Sequence, residues 1–297
     1  MIRFGPAGWS YRDWAGIVYP QPRPRGFDPL EYLAGYFDTV EVNSTFYRPA
    51  RASAARSWLE RTRSNPDFRF TAKLWQRFTH QRKETWTAAE VSEARAALDP
   101  LLEEGRFGAL LLQFPWSFRR TDENREWLGD VVGTFSDFPL VLEVRHASWN
   151  EPEFFRELAD RGVGFVNIDQ PLFHDSIAPS ARATSQVGYI RVHGRNYREW
   201  WRKDRPPEAR YDYLYSAEEL EPWAERAKEI AEEPGTREVF VVTNNHYRGK
   251  GIANALMLRS MAQGKKVPAP PELFGEYGEV LEKYARPAEP ERGEELP

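Results

Sequence analysis

The chain has 297 residues, 41% hydrophobic and 29% charged, enough apolar material for a full core beneath a solvated surface. It has no cysteine, which excludes disulfides, thiolate metal sites and cysteine nucleophiles, so any metal must be held by His, carboxylate or amide. A net charge of −4 gives no global attraction to nucleic acid and leaves only a local basic patch for such a partner. No apolar run approaches the length of a membrane span, and the first strand begins almost at Met1. The expectation is a cytoplasmic protein without membrane contact.

Ile2 to Trp9 reads as a first strand that ends in a glycine-rich turn. Trp9, Tyr11, Trp14 and Tyr19 crowd the loop beyond it, either as a stacking platform or as an apolar plug. Asp28-Pro29 supplies an N-cap and a first helical position, predicting a helix to about Phe37. Thr39 to Tyr47 alternates Val40 and Val42 with Glu41 and Asn43, predicting a second strand whose polar residues share a face. After a helix over about 53–63, the strand Phe68 to Lys73 ends on a lysine and leads to Thr79-His80. Helical spacing over 88–104 stops at Gly105. Ala109 to Phe114 is the fourth strand, with Gln113 at its tip, and a helix over about 123–134 follows.

The fifth strand is the most informative stretch. In LVLEVRHASW, Leu140, Val141, Leu142 and Val144 surround Glu143 before the chain turns polar at Arg145 and His146. An apolar run of this kind suits a strand covered on both faces. A glutamate inside it costs several kcal/mol unless it meets a cation, a metal or a substrate, and Arg145, two residues on, faces the same way. A helix over 152–161 precedes Val163 to Asp169, the sixth strand, with Asn167 and Asp169 at its polar tip. Gly188 to His193, the seventh, sets Arg191 and His193 on one face. A helix over about 217–232 follows; Glu238 to Asn245, the eighth strand, ends in Asn244 and Asn245. A last helix covers Gly249 to Met261.

Eight strands alternating with helices, with polar tips throughout, predict a single-domain TIM-type (β/α)8 parallel barrel over residues 1–264. Residues 265–284 form a packed extension in this reading, and the Pro- and Glu-rich residues 285–297 a disordered tail. Barrel sites lie at strand C-termini, which gathers the polar tips at one mouth.

GWSY with Trp14, VEVNSTFY, Lys73 with Thr79-His80, LLLQFP, LEVRHASW, the aspartate of NID, YIRVHG, and TNN with Asn254 form an ordered set over about Phe4 to Met261. In this the sequence resembles the YecE-like family, domain of unknown function 72. The resemblance implies a TIM-type barrel and no particular activity. Where the family often has an aromatic residue before two asparagines, this chain has Thr243.

Glu41 and Glu143 resemble the paired carboxylates of a glycoside hydrolase, but Lys73, Arg145 and Arg191 at the same mouth favour an anionic substrate. The expected function is therefore a hydrolase or lyase for a phosphate-containing, nucleotide- or nucleic-acid-like ligand. Glu143 or Glu41 would serve as base and His193 or His146 as acid, with Asp169 beside them. Expected substrate contacts are Asn43, Lys73, His80, Gln113, Arg145, Arg191, Asn244, Asn245, Trp9 and Tyr11. One alternative is a glycoside hydrolase using Glu41 and Glu143. Another is a non-enzymatic binding protein with an aromatic platform drawn from Trp9, Trp14, Trp149, Trp200 and Trp201. The sequence establishes no cofactor; a divalent metal on Glu41, Glu143, Asp169 and His193 stands as an option without a local motif behind it. The sequence assigns no oligomeric state.

Overall fold

The computed structural model describes residues 1–202, 204 and 207–288. Eight parallel strands, β1 Ile2–Pro6, β2 Thr39–Val42, β3 Arg69–Lys73, β4 Phe107–Gln113, β5 Leu140–Glu143, β6 Gly164–Asp169, β7 Val187–Val192 and β8 Glu238–Thr243, pair in chain order, and β1 pairs with β8. The circle closes at the β1/β2 seam through one parallel bridge, Ala7 to Glu41, with Gly8 N–H donating to Glu41 O at 2.8 Å. Gly5 permits that approach, since a Cβ there would lie 1.9 Å from the Thr39 carbonyl oxygen. The fold is a single-domain TIM-type barrel.

Helices pack outside the barrel between consecutive strands, with one exception. Residues 170–186, between β6 and β7, contain no helix. Asn167 ties this loop down: its Oδ1 accepts from Ser180 Oγ at 2.7 Å and from Arg182 N at 2.8 Å. Every residue of β2, β4, β5 and β6 is buried, as expected for strands facing helices on one side and the barrel interior on the other. Inside, Tyr189 lies opposite Phe240 in register, and Gly108 leaves room for the Phe240 ring, which a Cβ would meet at 2.3 Å.

Three boundaries differ from the sequence expectation. The second strand stops at Val42, and Ser44–Tyr47 is a helical turn; Thr45 Oγ1 donates to the carbonyls of Val42 at 2.9 Å and Lys73 at 2.7 Å, bending the chain inward. The expected helix over 88–104 is two, Ala88–Arg95 and Leu98–Glu103, because Pro100 has no N–H for a bond to residue 96 and takes a first-turn position instead. Ala285–Pro287, assigned above to the tail, forms strand β10, which pairs in parallel with β9, Val267–Ala269. Leu273 and Leu281, in the helix joining them, and Ala285 are buried with Met257 of the last barrel helix. The rest of the expected tail, 289–297, lies outside the described residues. Among the described residues no helix is long and apolar enough to cross a membrane.

Candidate functional site

Side chains on alternate positions of the strands meet inside the barrel near its C-terminal end. Arg191 of β7 is central: its Nη2 donates to Glu41 Oε1 of β2 at 2.7 Å and its Nη1 to Glu143 Oε2 of β5. Glu41 also accepts from Tyr189 OH at 2.9 Å, and Glu143 from Arg145 Nε at 2.8 Å. Glu41, Glu143 and Arg191 are at most 1% exposed, so two carboxylates and the Arg191 guanidinium meet out of water, with the partly exposed Arg145 as second cation. Burial raises the Glu143 carboxyl, but Arg191, Arg145 and His193 outweigh it and hold the group well below the usual range. Arg191 is shifted up, its two carboxylates overcoming the cost of burial.

His193 completes this layer. Burial, with Arg145 and Arg191 nearby, pushes its imidazole down to about 3 against the pull of Glu143, so it is neutral. Asn244 Nδ2 lies 3.0 Å from His193 Nδ1, and His193 Nε2 lies 3.5 Å from both Glu143 Oε1 and Arg145 Nη2. Trp200 covers the network, with Arg145 Cζ 5.9 Å from its ring centroid.

A cleft of about 870 Å³ opens at the mouth, large enough for a nucleotide-sized ligand. Lys73, Asn43, Asn244 and Tyr11 line it, with Tyr47, Tyr211, His246 and Tyr247 as aromatic walls. Tyr11 stacks on His246 at 4.3 Å between centroids. Lys73 Nζ donates to Gln113 Oε1 at 2.9 Å and sits 3.9 Å from the Phe46 ring centroid. Burial and Arg191 push its ammonium down to about 7, against the pull of Glu41 and Glu143. His80 meets the same Phe46 ring edge-on at 4.9 Å, and burial followed by the Lys73 charge lowers it to about 4. Of the lining carboxylates, Asp212 pairs with Lys250, Glu199 pairs with Arg202, and Asp13 accepts from Arg248 N.

The sequence-derived set thus divides. Glu41, Glu143, Arg145, Arg191, His193 and Asn244 converge on one network, while Asn43, Lys73, His80, Gln113 and Tyr11 lie at or just below the cleft. Four residues are placed elsewhere. Asp169 is held by Arg195, with Nε at 2.9 Å from Oδ2 and Nη2 at 3.1 Å from Oδ1. His146 packs edge-on against Trp116 and its Nδ1 accepts from Ser148 N. Asn245 donates to Asn254 Oδ1 at 2.8 Å and to the Tyr213 carbonyl at 2.8 Å. Trp9 packs edge-to-face on Trp58. Trp14 and Trp149 are wholly buried and donate to backbone carbonyls, so neither is free to stack on a ligand. Among the described residues no group of three His, Cys, Asp or Glu side chains is arranged to hold a metal ion. With Glu41 and Glu143 on Arg191 and Asp169 on Arg195, the four-ligand set does not form. Sequence reasoning missed Arg12, Tyr47, Tyr211 and Tyr247, which line the cleft from connecting segments without periodicity.

The family described as protein of unknown function DUF72 matches residues 3–273. The chain belongs to the DUF72 family. It is 30% identical over 267 residues to the UPF0759 protein YunF of Bacillus subtilis, covering 86% of this chain and 92% of that one. It is also 30% identical over 186 residues to the UPF0759 protein YecE of Escherichia coli, covering 59% and 61%. Among solved structures, a DUF72 protein from Thermotoga maritima superimposes with a TM-score of 0.75 at 31% identity, over 89% of this chain and 99% of that one. A DUF72 protein from Enterococcus faecalis gives 0.77 at 23% identity, over 89% and 96%, which speaks to the fold. The DUF72 match runs into the helix beginning at Leu273, further than the motifs alone suggested.

Proposed function

We propose that this DUF72 protein is a hydrolase or lyase for a small phosphate ester of nucleotide size, bound in the cleft at the barrel mouth. The observation that carries this reading is charge balance. Both cations lining the cleft, Arg12 and Lys73, lack a carboxylate within ion-pair distance among the described residues; of the lining carboxylates, Asp212 and Glu199 are paired with cations and Asp13 accepts from the backbone N–H of Arg248. A guanidinium and an amine free of ion pairs in a concave, aromatic-walled site favour an anionic ligand. Arg12, exposed at the rim, would hold the phosphate; Asn43 and Asn244 would orient the remainder. Glu143, with both oxygens engaged by guanidiniums, acts in this reading by fixing Arg145 and Arg191 rather than as a base. The same engagement argues against a glycoside hydrolase, which needs one of the two carboxyls protonated.

Phosphate should raise the melting temperature relative to chloride at matched ionic strength, by the equivalent of about 2.7 kcal/mol at a hundredfold excess over the dissociation constant. Arg12→Ala should remove most of the rise. Equal melting temperatures with and without phosphate overturn the reading.

A further inference from the structure

Lys73 ends β3 at the floor of the cleft, and its hydrogen-bond partner is an amide rather than an acid. Gln113 cannot reverse that amide, because its Nε2 donates to the Phe114 carbonyl at 2.7 Å and so presents Oε1 to the lysine. A neutral acceptor takes an N–H from either protonation state of the amine, whereas a carboxylate in its place would hold the third proton on. The charged and titratable groups facing Lys73 are Arg191, Arg145 and His80 on one side of the balance and Glu41 and Glu143 on the other. Both carboxylates are already committed to arginine.

We infer that Lys73 is a nucleophilic amine that forms a covalent imine with an aldehyde or ketone carbonyl of the substrate, and that the enzyme is a lyase using this imine as its electron sink. The inference rests on the phosphate-ester reading and names the chemical class: a phosphorylated carbonyl compound. The Nζ lone pair adds to the carbonyl carbon while the C=O π pair moves to oxygen; through water, oxygen takes a proton as nitrogen releases one. The new hydroxyl leaves as water with one further proton from solvent, so amine, carbonyl and proton give a protonated imine and water. The positive nitrogen can then accept the electron pair of a bond breaking one carbon away. An ammonium brought down to about 7 supplies neutral amine at the pH where exposed lysines are almost wholly protonated.

The test is borohydride trapping at pH 7 with glyceraldehyde 3-phosphate, dihydroxyacetone phosphate and pyruvate, read by intact mass and peptide mapping. One adduct is expected, on Lys73, exceeding every other lysine by about tenfold or more, as an amine lowered to about 7 from its free value of 10.5 dictates. It should vanish in Lys73→Met. It should also vanish in Lys73→Arg, which keeps a cation and serves if the methionine variant does not fold. Gln113→Glu should move the acid limb of adduct formation upward by about one pH unit, because the new carboxylate stabilises the ammonium. A purely structural Gln113 would leave that limb in place. Adducts spread evenly over the lysines, or unchanged in both Lys73 variants, overturn the proposal. Phosphate-dependent melting with no Lys73 adduct refutes the imine and leaves the anion reading standing. A Lys73 adduct with pyruvate but no phosphate effect on melting supports the imine and refutes the phosphate ester.

Discussion

Glu143 and Lys73 end neighbouring parts of one barrel mouth, yet their surroundings drive them in opposite directions. Glu143 is enclosed by two guanidiniums and a histidine, so burial that would neutralise it is overruled and it stays ionised. Lys73 meets an amide and an aromatic face, with two arginines close behind, so nothing overrules the burial and it approaches neutrality at ordinary pH. Glu143 is fully buried and Lys73 half-buried, yet it is the deeper group that keeps its charge, so partner type decides which is locked and which is available for chemistry. The lower network reads as a rigid, charge-balanced floor, and Lys73 as the reactive group standing on it.

The largest effect should follow from breaking the floor. Arg191→Met removes the cation shared by Glu41 and Glu143 and leaves both carboxylates buried with half their partners. Urea unfolding should show a loss of about 3–5 kcal/mol, the range for a buried pair deprived of one member. A loss below 1 kcal/mol would mean that water reaches the two carboxylates and that the floor is not what holds the strands together.

Glu143→Gln is expected to come next, costing about 2–3 kcal/mol at pH 7, because the amide keeps the shape while two guanidiniums lose a counter-charge. The pH dependence follows from the sign of the shift. The folded carboxyl titrates well below its free value of 4.5, so its stabilisation is complete above that pH and lost as pH falls toward the folded value. The parent should therefore lose stability on acidification below about pH 4.5 more steeply than the variant, as checked by melting temperatures from pH 6 to pH 3. Parallel acid slopes would assign the depressed titration to another group.

The floor and the reactive lysine differ also in how legible they were. Polar residues interrupting apolar strands marked Glu41, Lys73, Gln113, Glu143 and Arg191, since a strand buried on both faces has no other reason to carry them. The Glu143–Arg145 pair was legible because it is local, two residues apart on one face. Arg191 as the shared partner was not, because only barrel closure brings positions 41, 143 and 191 together. Adjacent polar residues at a strand end point apart and do not share the mouth: Asn244 turns to His193 while Asn245 turns outward to Asn254. Asp169 went astray for a different reason. Its partner, Arg195, comes from the loop after β7, where no repeating pattern announces a contact.

The smallest expected effect carries the most specific sign. Lys73 titrates at about 7 in the folded chain and at 10.5 when free, so between those values the unfolded chain holds a proton that the folded chain has released. Stability contributed by this group therefore rises with pH across that window, and below about pH 7 the charged amine weighs against the fold. Lys73→Met removes the titration while keeping an unbranched side chain over the Phe46 ring. At pH 6 the variant should be more stable than the parent, by about 1 kcal/mol after the loss of the cation–π contact is subtracted. Toward pH 10 the advantage should shrink or reverse, because the parent's amine is by then neutral in the folded state. Taking the difference between variant and parent in urea unfolding at the two pH values cancels the titration of exposed lysines and tyrosines. A variant that is less stable at pH 6 than at pH 10, relative to the parent, would show that the ammonium is stabilised by its site. The lysine would then be an ordinary buried cation, and the contrast with Glu143 would dissolve.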